Sequence, residues 1–204
     1  MTATESLLNV SNVHVAYPAR RRGGKSARAV DGVDLEIHPG EIVALVGESG
    51  CGKTTLARAI LGLQETSEGS IAFGGELLPT SASGKKAFRR RAQIVFQDPT
   101  ASLNPRHSVY EIVAEGLRIH GLVENEHQVV KNALEQCGLH PAERYMLKYP
   151  HELSGGQRQR VVIAGAMVLK PQLLVADEPV SSLDASVRGE ILALLQRLAR
   201  DENM

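Results

Sequence analysis

The chain has 204 residues, enough for one large domain or a core domain with a small insertion and too few for two full domains. Lysine plus arginine total 23 and aspartate plus glutamate also total 23, so the positive field of a protein that coats nucleic acid is missing and nucleic acid is excluded as its main partner. The only cysteines, Cys51 and Cys137, stand in different contexts, which excludes a disulfide scaffold and suits a reducing compartment such as the cytoplasm.

Along the chain, Leu7 to Tyr17 alternates loosely as a strand, and Val33, Leu35 and Ile37 mark a second strand over residues 33–37. Ile42 to Val46 is a continuous apolar run that reads as a fully buried third strand. A glycine-rich segment, Gly47 to Gly52, follows it, and Leu56, Ala59, Ile60 and Leu63 give helical spacing to Lys53–Leu63. A further buried strand is expected over Gln93–Phe96. Helical patterns at Ser108–His120, Glu126–Cys137 and Ser154–Leu169, with no convincing strand among them, predict an inserted helical subdomain over residues 106–170. Its longest apolar run, Val161–Leu169, is interrupted by Gly165 and is far short of the ~20 residues that span a bilayer, so the chain is expected neither to cross a membrane nor to be exported. A strand is predicted at Leu173–Ala176 and an amphipathic helix at Ser186–Arg200, with Val187, Ile191, Leu194, Leu195 and Leu198 on one face. Strands mixed with helices imply an α/β core, divided as residues 1–105 and 171–204 around the helical insertion. The basic stretches Ala19–Arg28 and Gly84–Arg91 read as solvated turns or hairpins with no assigned function.

Gly47-Glu48-Ser49-Gly50-Cys51-Gly52-Lys53-Thr54 matches the pattern G-x-x-x-x-G-K-[ST] between a buried strand and a helix, the context in which that pattern binds phosphate. Its glycines let successive backbone N–H groups turn toward phosphate oxygens, and the helix beginning near Gly52 adds its partial positive end. Lys53 supplies a mobile charge for the outer phosphates, and Thr54 a hydroxyl for Mg²⁺, which takes few protein ligands. Cys51 reads as a small side chain without redox duty. Leu173–Glu178 is an apolar strand ending in paired acids, with Asp177 as candidate for the Mg²⁺ shell and Glu178 for orienting or deprotonating an attacking water. Ser154 and Gln157 fit a capping box, yet Gly155 and Gly156 at the first helical positions each cost up to roughly 1 kcal/mol relative to alanine unless something approaches the backbone closely. A second anion site there, serving a nucleotide held by another chain, fits that cost.

These residues carry a resemblance over nearly the whole chain to the nucleotide-binding subunit of an ABC transporter. In that family's terms, residues 47–55, ending in Thr55, resemble the Walker A loop, Gln97 in the run 95–99 the Q-loop glutamine, Leu153–Gln157 the signature motif, Leu173–Glu178 Walker B and Ser181–Asp184 the D-loop. Tyr17 resembles the aromatic that stacks on adenine. The resemblance implies a P-loop NTPase (RecA-like) core with an N-terminal antiparallel β-subdomain and an inserted α-helical signature subdomain. It further implies ATP and Mg²⁺ as cofactors, with Thr54, Gln97 and Asp177 at the metal and Lys53, Gln97 and Glu178 in catalysis. Two such subunits, identical or paralogous, would close head to tail with each ATP between one Walker A loop and the opposite Ser154–Gln157 turn. The run Ala101–Arg106 resembles the branch that serves oligopeptide and dipeptide importers, including those for nickel and glutathione. Transmembrane permease subunits, and indirectly a periplasmic or extracellular solute-binding protein, are then the implied partners, with the chain peripheral on the inner face of the membrane.

In this family the chain continues into a strand with a switch histidine, whereas here all 7 histidines lie at or before His151 and the sequence ends at Met204. The expectation is an incomplete C-terminus, ATP binding largely intact and weak hydrolysis. A soluble ABC protein of repair or translation and an ATP-binding fragment without effective hydrolysis are the alternatives.

Overall fold

The computed structural model describes residues 6–17 and 27–204, and the chain divides into two compact units, 1–89 and 90–204. The basic stretch from Ala19 lies outside the described residues except for Ala27 and Arg28.

In the first unit, β1 (Leu8–Tyr17) pairs antiparallel with β2 (Ala27–Ile37) on one side and β3 (Glu68–Phe73) on the other, and a short β4 (Glu76–Leu77) pairs antiparallel with the outer edge of β3. Leu8 stands opposite both Ile37 and Phe73. Leu8, Val10, Val13 and Val15 are buried, and the change of parity between Val10 and Val13 explains the loose alternation of the sequence. Asn12 adopts a φ of 46° there and both ladders shift register, so an extra residue bulges and turns Val13 inward. Opposite the bulge, a side chain at Gly69 would run into the carbonyl of Asn12, which is why β3 carries glycine at that crossing.

Helix α1 (Lys53–Ile60) buries Leu56, Ala57, Ala59 and Ile60 and lies against β1 and β2. It ends before the predicted Leu63: Gly62 takes a φ of 62°, the left-handed conformation that stops a helix, and Leu63 is left exposed. The basic stretch predicted as a turn or hairpin is instead a helix, α2 (Ala82–Arg91). Its lysines, arginines and alanines are good helix formers, and one apolar residue, Phe88, anchors it edge-on to Phe73 with ring centroids 5.3 Å apart. The rest of that expectation holds, since Lys86, Arg89 and Arg90 are exposed.

The predicted buried strand Ile42–Val46 is the main correction. The segment belongs to neither sheet among the described residues, and Ile42 and Val46 are 58% and 94% exposed. An apolar run alone does not make a buried strand, because its N–H and C=O groups must also find neighbouring edges.

In the second unit, β5 (Ala92–Val95) and β6 (Leu173–Ala176) form a parallel pair, with Ala92 opposite Leu173 and Val95 opposite Ala176. Parallel strands need a long crossover. Here it is helical: α3 (Pro99–Ser102), α4 (Val109–Ile119), α5 (Glu126–Gln136), α6 (Glu143–Met146) and α7 (Gly155–Met167). The three long helices lie within two residues of their predicted ends. Helix α7 packs against α3, α4, α5 and β5, and its apolar side joins one core with Val95, Val113 and Leu134. The chain then forms α8 (Ala185–Asp201), whose Ile191, Leu194 and Leu198 are buried in the same core as the spacing predicts.

Polar caps and ties complete this unit. Ser108 and Glu111 form a capping box on α4, and the backbone N–H and hydroxyl of Ser108 hold the Glu111 carboxyl below its usual range. Glu126 accepts from Arg118 Nε at 2.9 Å, Arg118 Nη2 at 2.7 Å and Tyr110 Oη at 2.8 Å, tying α4 to α5. Among the described residues no helix is long and apolar enough to cross a membrane.

Candidate functional site

The predicted phosphate loop opens α1. Gly50 and Gly52 have φ of 83° and 98°, conformations in which side chains are strained, so glycine is required at both. Their surroundings differ. Among the described residues nothing lies within 4 Å of where a Gly50 side chain would start, whereas one at Gly52 would strike the carbonyl oxygen of Ala29 in β2. Gly50 therefore leaves the backbone open to an incoming group, and Gly52 seats the loop on the sheet.

The start of α1 has no side-chain cap, so its first N–H groups keep the partial positive charge of a helix N-terminus. Lys53 Nζ folds back over the loop and donates to the carbonyls of Gly47 at 2.8 Å and Glu48 at 2.9 Å. Glu48, Ser49 and Gly50 are exposed, and Thr54 and Thr55 are half-buried in the first turn of α1. Cys51 Sγ lies 3.8 Å from Lys53 Nζ, and a side chain at Gly47 would come within 2.7 Å of that sulfur, so Cys51 fills space on the inner side of the loop. Tyr17, at the end of β1, brings its hydroxyl to 3.5 Å from Thr55 Oγ1, which puts an aromatic ring beside the loop.

The second unit carries the acids. Asp177 continues β6 by donating its N–H to the Val95 carbonyl at 3.0 Å, and Glu178 then breaks away with a φ of 48°. Gln97, just past the end of β5, donates from Nε2 to Glu178 Oε2 at 2.9 Å. The parallel pairing of β5 and β6 thus joins two predicted residues that lie far apart in sequence, at the carboxyl ends of their strands where α/β sheets hold ligands. Taken singly, the Thr54 hydroxyl of the first unit and the Asp177 carboxylate of the second are hard oxygen donors, the chemical type that Mg²⁺ accepts.

At the N-terminus of α7, Ser154 Oγ accepts from the Gln157 N–H at 3.3 Å and Gln157 Oε1 accepts from the Ser154 N–H at 3.0 Å. The predicted capping box is formed, and among the described residues no acceptor takes the Ser154 hydroxyl proton or the Gln157 amide protons. Gly155 and Gly156 occupy the first helical turn. A feature that the sequence does not announce is Val187: a side chain at Gly156 would meet its Cγ1 at 2.8 Å. Helical periodicity marks Val187 only as part of an apolar face; its place over Gly156 arises from the packing of α8 on α7.

A model of the family described as ABC transporter matches residues 30–181. The chain belongs to the ABC transporter family. The protein YkfD of Bacillus subtilis, provisionally named for oligopeptide transport ATP binding, is 46% identical over 203 residues, covering 97% of this chain and 60% of its own. The glutathione import ATP-binding protein GsiA of Escherichia coli K12 is 45% identical over 204 residues, covering 97% of this chain and 32% of its own. This chain therefore spans only part of the length of its curated relatives, whose names fall in the branch that Ala101–Arg106 resembles. Among solved structures, the dimeric ATP-binding cassette MJ0796, in a post-hydrolysis state bound to ADP and Pi, is 29% identical with a TM-score of 0.82, covering 96% of this chain and 84% of its own. The fold is the α/β P-loop NTPase fold of ABC nucleotide-binding domains.

Proposed function

We propose that this chain is the ATP-binding and hydrolysing part of a subunit that powers an ABC importer for peptides or related small solutes. The observation that carries the reading is the loop at residues 47–54, where an open Gly50, an uncapped helix start and the Lys53 ammonium meet. In this reading the amides from Gly47 to Thr55 and the Lys53 ammonium hold the phosphates, and Tyr17 stacks on the base. Thr54, Gln97 and Asp177 would hold Mg²⁺, which would offset charge on the phosphate oxygens. Gln97 orients the attacking water, and Glu178 accepts its proton. Ser154, Gly155, Gly156 and Gln157 face the nucleotide of a second subunit, identical or paralogous, in a head-to-tail pair. The dimeric relative and the donors left free by the Ser154–Gln157 box support that arrangement. Closure of the pair would drive transmembrane permease subunits on the inner face of the membrane, with a solute-binding protein supplying the cargo from outside.

Glu178→Gln tests the chemistry. Steady phosphate release should fall on the order of 100-fold, the usual contribution of a general base, while ATP affinity by titration calorimetry is kept. Undiminished release would remove Glu178 from that role.

A further inference from the structure

The carboxylate of Glu178 depends on a backbone conformation that the residue does not prefer. With a φ of 48° it is left-handed, which costs a residue other than glycine on the order of 1 kcal/mol, and unlike asparagine it has no short side chain to bond locally in compensation. Pro179 follows at once, and the residue before a proline is pressed toward extended conformations. Something must hold the turn.

Ser181 does so twice. Its N–H and its hydroxyl each donate to the Glu178 carbonyl oxygen at 3.1 Å, so one residue bonds that carbonyl twice. Fixing the carbonyl fixes the peptide plane after Glu178 and with it the direction of the Cα–Cβ bond, while at the far end of the side chain Oε2 accepts from Gln97 Nε2 at 2.9 Å. On the other side, Asp177 is tied to Val95 by its own N–H. Glu178 is thus clamped from both neighbours, and Ser181 supplies the clamp on the downstream side. An ordinary turn needs only the N–H of the fourth residue; the hydroxyl is additional.

We infer that Ser181 is a positioning residue for the general base, its hydroxyl setting the direction of the Glu178 carboxylate toward the attacking water. The inference rests on the proposed role of Glu178 and deepens it. No bond to nucleotide or metal is assigned to Ser181.

The test compares Ser181→Ala, Ser181→Thr and Glu178→Gln in the full chain. Alanine keeps the backbone N–H and loses the hydroxyl, and threonine keeps both. Ser181→Ala should lower kcat for ATP about 5-fold, the effect of losing one hydrogen bond of about 1 kcal/mol, with KM within about twofold and an unchanged circular dichroism spectrum, and Ser181→Thr should restore kcat. A second readout needs no turnover: in ¹⁵N-labelled protein the Gln97 side-chain amide signal should shift in Ser181→Ala and return in Ser181→Thr. An unchanged kcat and amide signal in Ser181→Ala, a change in KM alone, or a loss that threonine does not repair would overturn the positioning role. If Glu178→Gln abolishes turnover in that same series, the base assignment stands and only this inference fails. If Glu178→Gln changes nothing, both fail.

Discussion

Two glycine turns open helices in this molecule, one in each unit, and they are made for different purposes. At the start of α1, glycine is needed for backbone conformation: Gly50 and Gly52 are left-handed, and the helix begins without a side-chain cap. At the start of α7 the turn is closed by the Ser154–Gln157 box, and Gly156 has ordinary helical geometry beneath Val187. The same residue type thus leaves open space at Gly50 in one turn and room for an intramolecular neighbour at Gly156 in the other. A glycine in a motif is evidence of close approach, but not of what approaches.

Lys53→Ala should have the largest consequence of this contrast, because the first turn relies on its ammonium and has no cap to substitute. ATP affinity should fall on the order of 10- to 100-fold, from roughly 1.5–3 kcal/mol for a hydrogen bond to a charged group, and calorimetric affinity at the wild-type level would show that the loop does not bind through Lys53. Next come the glycines themselves. In denaturant unfolding, Gly156→Ala gains up to about 1 kcal/mol of helix propensity but meets Val187, and overpacking costs about 1–3 kcal/mol, so a net loss is expected. Trimming the neighbour with Val187→Ala should recover that loss in a double-mutant cycle. The cost of Gly50→Ala, on the order of 1–2 kcal/mol from its backbone conformation, has no neighbour to trim among the described residues and should resist any such rescue. Additive effects at Gly156 and Val187 would erase the distinction between the turns.

The smallest effect concerns the two thiols. Cys51 lies exposed in the first turn, whereas burial pushes the Cys137 thiol up to about 12 despite the nearby Arg160 and Arg197 guanidinium groups. A thiol reagent at neutral pH should therefore consume one equivalent quickly in the native protein and the second only after denaturation. Bound ATP should slow the first reaction. Equal rates for both thiols would contradict the burial of Cys137.

Much of this was readable from the residues. Helices α4, α5, α7 and α8 follow from apolar spacing and caps because each buries a stripe in one core, so local pattern and packing agree. The Ser154–Gln157 box was legible because both partners lie within one turn. Ile42–Val46 misled because apolarity reports a preference for burial and says nothing about which edges are available for pairing. Helix α2 was missed because its charge suggested solvent, while the single anchor, Phe88, is too sparse a signal for periodicity. The meeting of Gln97 with Glu178 and of Val187 with Gly156 are products of tertiary packing, and no local spacing encodes them.

Gly52 and Ala29 have one more implication. Where a hydrogen atom is all that separates a helix start from a strand carbonyl, the spacing between them is set by main chain alone and is indifferent to the side chains β2 displays. Recolouring that strand for solubility, or grafting another sequence along it, should leave the height of the loop untouched. Sliding the ladder by a single residue would not, because the carbonyl at that point would then aim away from the helix and the loop would lose its footing.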